Sequence, residues 1–137
     1  MFAYIYEDAA RVTRFDRYFD YLASVSNEMP LQLYEFASDH ERYELSGDRT
    51  LHNARLNSVS VVNECEVGSN LLTKRDVILN LSLAQNKIIE LLYGDVMQFE
   101  FSHVPAFWPN RAVDLLTHEV RIESGGIYLH NIPYTPL

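Results

Sequence analysis

Val77 to His103, VILNLSLAQNKIIELLYGDVMQFEFSH, is the stretch whose reading decides the fold. Val77, Leu79, Leu81 and Leu83 alternate with smaller or more polar neighbours, and Met97, Phe99 and Phe101 alternate with Gln98, Glu100 and Ser102. A period of two is that of half-buried strands. Gln85-Asn86 precedes Ile88 and Gly94-Asp95 precedes Val96, so short turns separate the runs. Strands joined this way pair antiparallel without helical crossovers.

Outward from this centre the pattern is read in both directions. Ala54 to Asn63 reads as a long strand closed by Gly68-Ser69-Asn70. Leu116, His118, Val120 and Ile122 alternate with polar residues, and Ser124-Gly125-Gly126 marks a hairpin returning through Ile127 to Ile132, because glycine reaches the positive φ angles that tight hairpin turns require. Leu31, Leu33, Tyr34 and Phe36 suggest a first strand and Tyr43 to Leu45 a second, with a turn at Ser46 to Arg49. Between Asp8 and Val25 the period is helical, with Val12, Phe15, Tyr18 or Phe19, and Leu22 on one face. Pro30 lies beyond the end of that helix.

The expectation is an α+β protein with one globular domain over residues 1–137. An N-terminal amphipathic helix packs on a curved, mainly antiparallel meander of about six or seven strands. A small β-sandwich or barrel carrying one helix is the alternative, since periodicity does not decide whether a sheet closes.

Bulk properties bound the function. The chain has 137 residues, 47% of them hydrophobic and 22% charged, which suffices for a core without staples. Cys65, the single cysteine, lies between Glu64 and Glu66, where negative charge opposes thiolate chemistry. The N-terminus MFAYIYEDAARV has acids where a secretory signal needs bases, and no apolar run approaches the length of a membrane span. A cytoplasmic protein that does not engage a membrane is therefore expected. The net charge of −8 disfavours nucleic acid, whose binding requires phosphate neutralisation. Met1 to Gly47 holds nine acids against four arginines.

No motif names a reaction. His40, His52, His103, His118 and His130 form no metal-binding spacing, and no serine elbow, phosphate loop or dinucleotide fingerprint is present. The expectation is no catalytic residue, no metal and no cofactor. His103 and His118 share the parity of Phe101 and Val120 and point inward. His118 and Glu119 cannot touch, because adjacent strand residues face opposite ways.

Two features suit a partner. Glu35, Asp39, Glu41 and Glu44 are interleaved with aromatics that include Tyr43, a pattern for the basic face of another protein. Phe107 and Trp108 lie between Pro105 and Pro109, with Arg111 close by, and tryptophan and arginine are enriched at binding hot spots. The leading reading is a small acidic, non-enzymatic protein-binding module docking on a basic partner. In size and charge it is similar to immunity proteins, which inhibit a cognate toxin, by composition and not by motif. One alternative is a ligand-binding or enzymatic domain with His103 and His118 in a pocket between helix and sheet. The other is a homo-oligomer, for instance a homodimer, that hides a sheet face against its copy.

Overall fold

A computed structural model describes residues 2–100, 114–115, 117–123, 126–132 and 134–135, with backbone alone at 114–115 and 134–135. Helices and antiparallel sheets are both present, which makes the protein α+β.

The chain opens with a small hairpin, β1 (Tyr6–Glu7) against β2 (Thr13–Arg14). A helix had been expected from Asp8. The Asp8 carboxylate instead accepts the amides of Ala10 and Val12, and Arg11 takes a positive φ of 59°. Short aspartates that capture nearby backbone compete with helix in this way. The helix α1 runs only from Asp16 to Val25, burying Tyr18 and Leu22.

The second helix corrects the expectation of a strand at Leu31. Residues Leu31–Ser38 form α2, entered through Pro30, where the missing proline N–H costs nothing. Leu33, Phe36 and Ala37 stand three and four apart, and the Leu31–Leu33 alternation was incidental. Its closing turn His40–Tyr43 is a 3-10 helix capped by the Asp39 carboxylate, not a strand.

Strands β3 (Arg55–Cys65) and β4 (Leu72–Ser82) form a long hairpin. Gly68 at φ 79° and the bond from the Glu66 amide to the Leu71 carbonyl close it. Next, Gln85 and Asn86 turn the chain at φ 59° and 58° into β5 (Ile88–Tyr93). Leu81 thereby faces Ile89, and Leu79 faces Leu91. Ile89 and Leu91 therefore share the inner face, whereas Ile88 and Leu92 point outward at 64% and 68% exposure.

The predicted strand from Met97 to Phe101 is a further correction. Asp95 adopts φ 52°, the Val96 amide makes one bond to the Arg75 carbonyl, and Val96–Glu100 has no strand; Phe101 lies outside the described residues.

The sheet order is β5-β4-β3-β6-β9, where β6 is Asp114–Leu115 and β9 is Tyr134–Thr135. It is not a single meander, because β7 (Glu119–Glu123) and β8 (Ile127–Asn131) form a separate two-stranded hairpin. Gly126 at φ 76° fits the hairpin expected there.

Two apolar clusters result. One joins Ile5, Tyr18, Leu22, Met29, Ala37, Tyr43 and Val120, so α1 packs on the β7–β8 hairpin rather than on the large sheet. The other joins Leu51, Ala54, Leu81 and Leu83, with Phe36 at its margin. The α2 helix supplies both.

Candidate partner surface and the histidine pair

The acidic segment is carried by α2 and the turn that follows it. Glu35 is exposed on α2, and Glu41 and Glu44 are exposed on the turn and just beyond it. Asp39 is engaged internally: its carboxylate accepts the Glu41 amide at 3.1 Å and pairs with Arg49 and, at 3.6 Å, with Arg42. Arg49 also meets Glu41 at 3.1 Å. Tyr43 does not share this surface. It is only 7% exposed, donates its hydroxyl to the Ala37 carbonyl at 2.6 Å, and has its pKa raised by burial. Phe107, Trp108 and Arg111 lie outside the described residues, as does His103.

His118 sits in a box of aromatic rings. Its ring stacks on Tyr43 at 4.5 Å and meets Phe36 at 5.0 Å. Its Nδ1 lies 3.0 Å from His130 Nε2, and His130 Nδ1 lies 2.6 Å from the Tyr93 hydroxyl. Burial pushes the Tyr93 pKa upward, so the phenol keeps its proton. Each neutral ring carries one N–H, so a single N–H···N bond joins the pair and His118 Nε2 lies at the free end of the chain. That nitrogen is buried and has no partner among the described residues.

His118 is fully buried and His130 half-buried, and both imidazoles are held neutral. Burial, the neighbouring His130 and the Arg42 cation hold the His118 pKa well below its usual value. Burial alone takes His130 to about 4. Desolvation disfavours the charged form of any base.

Glu119 answers a different need. It is fully buried and accepts the amides of Ala3, Tyr4 and Ile5, each at 2.9 Å, with Arg121 3.4 Å away. One carboxylate thus ties the N-terminal segment to β7. On the same strand the Val120 amide donates to the Tyr18 hydroxyl at 2.7 Å and the Ile122 amide to Tyr21 at 2.9 Å. His118 and Glu119 turn to different partners, as strand alternation requires. The carboxylate anchor had no sequence signal, since Glu119 occupies a polar parity position. The histidine pair had one: a turn at Gly125-Gly126 folds positions 118 and 130 onto the same face.

A shallow depression of about 530 Å³ is lined by Tyr4, Arg17, Asp20, Tyr21 and Ser24. Another, of about 400 Å³, is lined by residues that include Leu45, His52, Arg55 and Gln85. Neither includes His118 or His130. Among the described residues, no group of three or more His, Cys, Asp or Glu side chains is placed to hold a metal ion, and no helix is long and apolar enough to cross a membrane. No protein-family model, curated protein or solved structure matches the chain.

Proposed function

We propose that the protein is a non-enzymatic binding module that docks on a basic partner protein through the acidic surface of α2 and its closing turn. The observation that carries this reading is the placement of Glu35, Glu41 and Glu44, all exposed along one short segment. Asp39 pins that segment by capping the turn and binding Arg49. A carboxylate surface on a fixed backbone favours fast association with a cationic face, because little ordering is needed on contact. The burial of His118 between Phe36 and Tyr43 also favours this over the pocket reading.

The test is capture of bound proteins from the native cell lysate at low and moderate salt, with the wild-type chain beside the E35Q/E41Q/E44Q variant. A stoichiometric basic protein, lost as salt rises and lost on the variant, is expected. Equal capture by wild type and variant would remove the segment from the interface.

Self-association is a second reading, favoured by the outer face of the large sheet. Val62 is 48% exposed on that face, which also carries the still more exposed Ile88 and Leu92. Isolated exposed aliphatics are ordinary, but several on one sheet face suit a covering layer. Light scattering on the wild type and on L92E checks it: a dimer reduced to monomer by the substitution supports the reading, and a monomeric wild type rejects it.

A further inference from the structure

The β7–β8 hairpin is joined to the edge strand β5 through one short chain of side chains, His118 to His130 to Tyr93. The His118–His130 link needs at least one neutral imidazole. If His118 and His130 each carry two protons, N–H faces N–H across the 3.0 Å gap, and neither ring can accept. A single added proton already places a cation among Phe36, Tyr43 and Tyr93.

Nothing described on the surrounding elements offsets that charge. From α2 the pair faces Phe36, and from the following turn it faces Tyr43 and the Arg42 cation. From β5 it faces the Tyr93 phenol. Glu119, the nearest acid in sequence, is turned to the amides of Ala3, Tyr4 and Ile5. A buried cation without a counter-charge is strongly disfavoured.

We propose that the His118–His130 pair is an acid-sensitive latch, and that its protonation releases the β7–β8 hairpin from β5 and α2 while the β3–β4 ladder stays paired. The direction follows from linkage. The folded state holds both rings below the ordinary histidine value of 6.5, so the latch is at full strength above that value. It weakens as pH falls from 6.5, by up to tenfold per unit for each ring, down to about 4 for His130.

Release frees surface as well as strands. The Val120 amide would lose the Tyr18 hydroxyl and the Ile122 amide would lose Tyr21, so these two amides report the opening. The experiment is amide hydrogen exchange from pH 6.5 to 4.5, corrected for the intrinsic rate, on wild type and H130Q. Wild-type protection at Val120 and Ile122 is expected to fall at least tenfold while the β3 and β4 amides hold, and H130Q, which keeps only the His118 ring, is expected to show a smaller fall. A uniform loss along the chain would overturn the proposal, as would no loss, or a loss retained in full in H130Q. Should H130Q fail to fold, imidazole ¹⁵N shifts of the wild type decide. Rings that charge in step with the loss support the latch, and rings that stay neutral while protection falls overturn it.

Discussion

At the scale of single residues, the hydroxyls and the carboxylate that satisfy β7 are the most sensitive positions. Tyr18 serves Val120 twice, accepting its N–H at 2.7 Å and donating to its carbonyl at 3.3 Å. Burial raises its pKa to about 12, so the phenol stays protonated and donates throughout the working range. Y18F leaves a buried amide without an acceptor, and a loss of about 1–3 kcal/mol is expected in denaturant unfolding. Y21F removes one bond at a less buried site and is expected to lose less. Glu119 is the second such position. E119A strands three backbone donors and leaves Arg121 with Glu123 alone, and a loss of about 3 kcal/mol or more is expected. The same unfolding experiment checks both, and a Y18F stability within 0.3 kcal/mol of wild type would mean that the hydroxyl is not satisfying Val120.

At the scale of elements, what was legible in the sequence divides by the range of the forces involved. The β3–β4 and β4–β5 hairpins were readable because both their alternation and their turns are local: Gly68 and the Gln85-Asn86 pair adopt the positive φ angles expected of tight turns. The α2 helix was misread because Leu31, Leu33, Tyr34 and Phe36 have mixed spacing that satisfies two periods at once, and the Pro30 start signal was the better guide. The Met97 run had the alternation of a strand without a partner to pair with, since the chain leaves the ladder at Asp95. The ion pair of Asp39 with Arg49 joins segments ten residues apart, and no pattern within either segment signals it. One turn is open to improvement. Gln85 holds φ 59° and ψ 31°, a region costly for most side chains and easily reached by asparagine. Q85N is therefore expected to raise stability by about 0.5–1 kcal/mol, read as a higher thermal midpoint; an unchanged or lower midpoint would mean that Gln85 carries no strain in the turn.

At the scale of the whole molecule, the two apolar clusters share α2, and the acidic residues proposed to meet a partner stand on that helix and its closing turn. Packing fixes the backbone, and charge on its outer side is then presented without reorganisation. Replacing Glu35, Glu41 and Glu44 is accordingly expected to change stability little, since exposed charges contribute small amounts to folding, while changing association strongly. The measurement that tests this most directly is the association rate with the captured basic partner across ionic strength, for wild type and E35Q/E41Q/E44Q. The account predicts a wild-type rate that falls steeply with salt, and a variant rate at least about tenfold lower at low salt with a flattened dependence. Matching rates and matching salt slopes for the two proteins would contradict it.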